Sequence, residues 1–190
     1  MKLRHLLLAS AIAVTAFVPA ASASADEPAA PPADASPTAA RDRFAGNYAY
    51  AGGEKQQQAR DAAIEKATDS MFFATRGIAR GRVKDKTVIR AVIGFSFAGG
   101  NITGTASDVA PATSPENGSP VPYKSGSDTV QLSQKILPDG RLFQTFTASD
   151  GSRSNTYVLS ADGKTLNIFI TLKSEKLPQP VSYTLTYVRK

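Results

Sequence analysis

The chain has 190 residues, 22 of them Lys or Arg and 16 Asp or Glu, with no Cys, no Trp and a single His, His5. Disulfides, thiolate nucleophiles, Ser-His-Asp triads and zinc or haem sites built on His or Cys need groups that are missing beyond residue 5. Chemistry past that point falls to Asp, Glu, Lys, Tyr, Ser and Thr, a composition that favours binding over catalysis.

Lys2, Arg4 and His5 form a charged start, followed by an apolar run from Leu6 to Val18 and small residues up to Ala25. These are the three parts of a Sec signal peptide over residues 1–25, with Ala-x-Ala frames at Ala21 to Ala23 and Ala23 to Ala25. The run of 13 residues is short of the ~20 that cross a bilayer, and no Cys follows it to carry a lipid. The expectation is export to the periplasm or the medium, not as a lipoprotein. Residues 26–40, DEPAAPPADASPTAA, have almost nothing to bury and read as a disordered tether. Residues 41–190 then hold 20 basic and 13 acidic residues, a net charge of +7. One domain of about 150 residues can bury roughly 70% of its unfolded surface.

Within that domain, Arg41 to Ala51 alternates aromatic and small residues as a first strand through Tyr48 and Tyr50, and Gly52-Gly53 ends it. From Glu54 to about Arg80 the period changes. Ile64, Ala67, Met71, Ala74 and Ile78 recur at three- and four-residue steps, the stripe of an amphipathic helix. Asp69-Ser70 could cap a second helix there, and Gly77 and Gly81 weaken the far end.

After Asp85 the period drops to two. Strands are predicted over Thr87 to Phe97, Ile102 to Thr105, Asp128 to Leu137, Arg141 to Ala148, Arg153 to Ser160, Thr165 to Leu172 and Val181 to Arg189. Asp139-Gly140, Asp150-Gly151 and Asp162-Gly163 join consecutive strands, since Asp and Gly tolerate the positive φ of tight hairpins. No DxDxDG loop surrounds them, so they read as turns and not as calcium ligands. The Pro-, Ser- and Gly-rich stretch from Ala106 to Ser127 is a long loop, with Val121-Pro122-Tyr123 a candidate edge strand.

The prediction is a mainly β fold: an antiparallel up-and-down β-barrel of about eight strands, with an α-helical segment between strands 1 and 2. The alternative is an α+β fold, a helix packed on a curved open meander of the cystatin or nuclear-transport-factor kind. The start Phe44-Ala45-Gly46-Asn47-Tyr48 is similar to the lipocalin Gly-x-Trp with Tyr in place of Trp. With the helix after strand 1, the Asp-Gly meander and an aromatic, basic last strand, the chain resembles the lipocalin and fatty-acid-binding-protein group, the calycins. That resemblance implies a small apolar or amphipathic ligand inside the barrel. Fatty-acid-binding proteins hold a carboxylate with an Arg-x-Tyr in the last strand, whereas this chain has Tyr187-Val188-Arg189, the reverse order.

Arg76, Arg80, Arg82, Lys84, Lys86 and Arg90 fall within fifteen residues that hold one acid, Asp85. A solvated helix end would look this way. So would an anion site for the head of an amphiphile, or a face for an anionic lipid surface. The candidate ligand-binding residues are Arg76, Arg80, Arg90, Arg153 and Tyr187. No catalytic residue, metal site or cofactor is predicted: carboxylates do not converge, and no phosphate loop or dinucleotide fingerprint occurs. Ser133 with Lys135 reads as an ordinary solvent face, and the basic stretch lacks the interleaved aromatics of nucleic-acid binding. The expectation is a monomeric, exported, non-catalytic binder of a lipid-like molecule. The alternative is a structural or interaction module of the bacterial envelope whose barrel is filled by Phe95, Phe97, Phe143, Phe146, Phe169, Tyr183 and Tyr187.

Overall fold

The first strand pairs with the last. The computed structural model describes residues 37–190. In it β1 (Gly46–Tyr50) lies antiparallel to β10 (Val181–Arg189), with Tyr48 opposite Arg189, and on its other side to β2 (Val92–Ala98), with Tyr48 opposite Ile93. β3 (Asn101–Ala106) and β4 (Ala112–Pro115) extend the sheet from β2; β9 (Thr165–Ser174), β8 (Gly151–Leu159), β7 (Leu142–Ala148), β6 (Asp128–Ile136) and β5 (Val121–Ser125) extend it from β10. Every neighbouring pair is antiparallel. The ten-stranded sheet curls until its two ends meet, so the fold is the predicted barrel, nearly closed, and not the open meander.

Two strands exceed the expected eight, and both lie in the stretch predicted as a loop; β5 covers the candidate edge strand Val121-Pro122-Tyr123, whereas β4 is unexpected. β4 buries the small residues Ala112 and Ser114, which carry no strand signature of their own. Between β4 and β5 there is no backbone ladder. An isolated bridge, Asn117 with Lys135, and the side chain of Gln134 close this seam. Gln134 Nε2 donates to Ile102 O at 2.9 Å and Ala112 O at 3.1 Å, and lies 3.2 Å from Ser114 Oγ.

The helices also depart from the periodicity. The chain enters as α1 (Pro37–Phe44), so residues 37–40 of the expected tether and Arg41 to Phe44 of the expected first strand are helical. The rest of that tether and the expected signal segment, 1–25, lie outside the described residues. Ala40 and Phe44, one turn apart, are both buried and plug the end of the barrel away from the other helices. Arg189 then satisfies the end of α1: its guanidinium donates to Arg43 O, to Ala45 O at 2.7 Å and to Tyr48 Oη at 2.7 Å, and lies 4.8 Å from the Tyr48 ring centroid.

α2 (Gly53–Thr68) and α3 (Phe73–Lys86) are two helices with a break at 69–72. Asp69 closes α2; it does not cap α3, whose first residues follow Phe72 with no side-chain cap. α3 runs through Gly77 and Gly81 because both sit on an open face. It ends where the Thr87 hydroxyl turns back to Val83 O at 2.8 Å, so Thr87 to Ala91 is a connection and not the start of a strand. α2 packs on β10 through buried Ile64 and Ala67, and Gln56 exchanges two hydrogen bonds with Thr186 at 2.8 and 2.9 Å.

Gly140 and Gly163 have φ of 79° and 70°, as hairpin turns require. Gly151 does not. It already pairs with Ala148 and Ser174, and a Cβ there would stand 2.4 Å from Lys173 O, so close approach of β9 is what demands glycine.

Candidate ligand-binding cavity

Alternate residues of each strand face inward, and beneath α3 they leave a cavity of about 780 Å³. One wall is apolar, built by Ile93 and Phe95 of β2, Ile168 and Ile170 of β9, and Leu185 and Tyr187 of β10. Its floor is an aromatic stack running up from the plug: Phe44 against Phe95 with ring centroids 6.3 Å apart, and Phe95 against Tyr157 at 4.9 Å, both edge-to-face.

The facing wall is polar. Gln134, Gln144 and Asn155 stand directly opposite one another on β6, β7 and β8 and are all buried. Asn155 Nδ2 donates to Gln144 Oε1 at 2.7 Å, Gln144 Nε2 to Gln134 Oε1 at 2.9 Å, and Gln134 onward across the seam. Tyr157 Oη also donates to Gln144 Oε1, at 2.8 Å, and burial pushes its phenol up to about 12. The carbonyl oxygens of this row each accept from within it, so burying them is compensated. Arg153 heads it, donating from Nε to Asn155 Oδ1 at 3.0 Å.

The mouth lies between α3, the 107–111 turn and the β7–β8 hairpin, through Ile78, Arg82, Val109 and Asp150. Six cations line the cavity, Arg82, Lys86, Arg90, Arg153, Lys173 and Lys176, against Asp85, Asp128 and Asp150. Lys86 pairs with Asp128 at 3.2 Å and Lys176 with Asp150 at 2.7 Å, the latter hydrogen bond holding the Asp150 carboxyl below its ordinary range. Arg82, Arg90 and Arg153 have no carboxylate partner among the described residues.

No protein-family model matches the chain, and no curated protein matches it in sequence. Among solved structures it is similar to an abundant heat soluble (SAHS) protein from Ramazzottius varieornatus, with 10% identity over 78% of this chain and 96% of that one and a TM-score of 0.54. It is also similar to a Schistosoma mansoni fatty acid binding protein in complex with arachidonic acid, at 14% identity, 80% and 98% coverage and a TM-score of 0.47. A third is a fatty acid transporter, REP1-NXSQ, at 14% identity, 77% and 97% coverage and a TM-score of 0.41. The likeness to the SAHS structure is one of fold. In fold the chain resembles the calycin barrels.

Of the five residues singled out in the sequence, Arg90, Arg153 and Tyr187 line this barrel's cavity. Tyr187 is anchored, its hydroxyl donating to Arg90 O at 2.9 Å, and burial raises its pKa well above the ordinary phenol value. Arg76 and Arg80 do not line the cavity. Arg76 donates to Met71 O at 2.9 Å and Arg80 to Thr68 Oγ1 at 3.0 Å, so both join α3 to the end of α2. Arg82 and Lys86 of the same basic stretch line the cavity in their place. Arg189 also stands away from it, in the clamp on α1. Ser133 donates to Gly118 O at 2.7 Å.

Sequence reasoning missed the amide row. The signal is present: Gln134, Gln144 and Asn155 occupy inward positions between Leu132 and Ile136, Leu142 and Phe146, and Arg153 and Tyr157. A polar residue in an inward register on three successive strands marks a network.

Proposed function

We propose that the protein is an exported, monomeric, non-catalytic binder of a lipid-like amphiphile, its tail against the apolar wall and its anionic end at the mouth. One observation carries this reading: a cavity of about 780 Å³ whose apolar wall rises to guanidiniums without carboxylate partners. That is the distribution an amphiphile with an acidic head would complement. The filled-barrel alternative is less favoured, because Phe143 and Phe169 alternate onto the outer face and are unavailable to fill the interior.

Loading would take place at an anionic lipid surface. Phe72 and Phe73, 67% and 76% exposed, pack against each other with ring centroids 4.6 Å apart at the start of the basic α3, a pairing of exposed aromatics with cations that suits a lipid interface. The experiment is calorimetric titration of delipidated protein with single-chain amphiphiles below their micelle concentration, alongside native mass spectrometry of gently purified protein. Micromolar one-to-one binding supports the reading. A protein that carries no lipid and ignores every acidic amphiphile sinks it.

A further inference from the structure

The charge at the mouth says more about the head group than that it is acidic. Arg153 is held at two points, Nε on Asn155 Oδ1 at 3.0 Å and Nη1 on Lys86 O at 2.9 Å. Both acceptors are neutral, so the guanidinium is oriented without being neutralised. Its orientation is enforced from below. Each amide of the row donates in the same direction, away from the mouth, because Gln134 must donate to the carbonyls of Ile102 and Ala112. That leaves Asn155 with its oxygen toward Arg153; reversed, it would set an NH2 group against a guanidinium. Asn155 is therefore a positioning residue for Arg153.

The rim adds to this charge. The two lysine–aspartate pairs occupy Asp128 and Asp150, and among the cavity-lining residues only Asp85 then offsets Arg82, Arg90, Arg153 and Lys173, an excess of three positive charges. A carboxylate head would cancel one. A phosphate monoester carries about −1.5 to −2 at neutral pH and presents three acceptor oxygens, the number and geometry that guanidinium forks bind best.

We infer that the mouth is a phosphomonoester site and that the ligand is a single-chain amphiphile ending in a phosphate monoester. The inference rests on the amphiphile-binding reading above and narrows its head group. A sugar or glycerol phosphate without a tail offers the same head, so the test must separate the two sources.

The test titrates the protein with dodecyl phosphate, dodecanoate, dodecanol and glycerol 3-phosphate at low ionic strength. At pH 7.5 dodecyl phosphate should bind about tenfold more tightly than dodecanoate, and this advantage should shrink at pH 5.5, below the second phosphate pKa of about 6. Arg153→Gln should remove the advantage and leave dodecanol affinity within about twofold, which separates a lost head-group contact from a damaged barrel. Asn155→Leu keeps the charge but not its anchor, and should lose part of the advantage of dodecyl phosphate over dodecanoate. Dodecanoate binding as tightly as dodecyl phosphate at pH 7.5, or a phosphate preference that survives Arg153→Gln, overturns the inference and leaves the amphiphile reading standing. Glycerol 3-phosphate matching dodecyl phosphate assigns the mouth to a free phosphate ester and overturns the lipid class. Failure of all four probes removes the amphiphile reading itself.

Discussion

Gln144 and Asn155 face each other across β7 and β8, and the 2.7 Å hydrogen bond between their amides is the middle link of a row joining Arg153 at the mouth to the β4 seam. The barrel thus has a side-chain closure where its backbone ladder fails. Gln144→Leu would leave Gln134 Oε1 and the Tyr157 hydroxyl proton without their partner in the interior, and Asn155 Nδ2 with only Tyr157 Oη at 3.2 Å. At roughly 1–3 kcal/mol for an unsatisfied buried group, a loss of about 3 kcal/mol in urea unfolding is expected. The double variant with Asn155→Leu should lose less than the sum of the two single losses.

Arg189 should prove a fold residue. Arg189→Met removes the donors that hold Arg43 O, Ala45 O and Tyr48 Oη, and charged hydrogen bonds of this kind contribute about 1.5–3 kcal/mol. Hydrogen exchange should quicken in α1 and β1 while dodecanol binding persists. The Tyr48 phenol, raised by burial and drawn back down by Arg189, should titrate higher still in the variant.

Alkali should unfold the protein through its interior phenols. Burial raises the pKa of Tyr48, Tyr157, Tyr183 and Tyr187 in the folded chain, Tyr157 to about 12. Stability from such a group is complete below the unfolded value near pH 10 and is lost as pH rises through the folded one, at about 1.4 kcal/mol per pH unit for a fully buried phenol. The urea midpoint should hold up to about pH 10 and fall steeply between 10 and 12, with phenolate absorbance rising in step with unfolding. Phenolates that appear without loss of structure would contradict this.

Two glycine substitutions should have opposite signs. A Cβ at Gly81 meets nothing within 4 Å, so Gly81→Ala should stabilise α3 by up to about 1 kcal/mol. At Gly151 it meets the Lys173 carbonyl at 2.4 Å, a backbone atom that cannot swing aside, and Gly151→Ala should lower the thermal midpoint by several degrees.

Vesicle binding should depend on the exposed ring pair. Phe72→Ser with Phe73→Ser should cut co-sedimentation with phosphatidylglycerol vesicles several-fold, and 0.5 M salt should cut it for the parent protein by screening α3. Equal binding to phosphatidylcholine vesicles would argue against the basic face.

The barrel was legible in the sequence because β6 to β10 alternate cleanly and Asp-Gly marks the turns that join β6 to β9. Of the two seam strands, β5 was legible in part through Val121-Pro122-Tyr123, and β4 was not: Ala112 and Ser114 are inward but small, so its placement comes from tertiary pairing and not from local pattern. Arg41 to Phe44 misled for a related reason: the sequence alternates, yet one helical turn buries Ala40 and Phe44 together at the barrel's end. At the site, Arg90, Arg153 and Tyr187 were reachable from charge and register. The division of α3 into Arg76 and Arg80 on the helix junction and Arg82 and Lys86 on the cavity was not, since it depends on the angle at which α3 lies across the mouth.

Tyr48 and Arg189 meet across 141 positions of sequence, and the Arg189 guanidinium ties the end of α1 to the last strand. A growing chain can form hairpins from β2 to β9 in order, but β1 stays without its second neighbour, and the plug without its clamp, until β10 is present. The barrel therefore cannot be sealed at its base until β10 has been made, and until then the aromatic floor of the cavity is open to solvent.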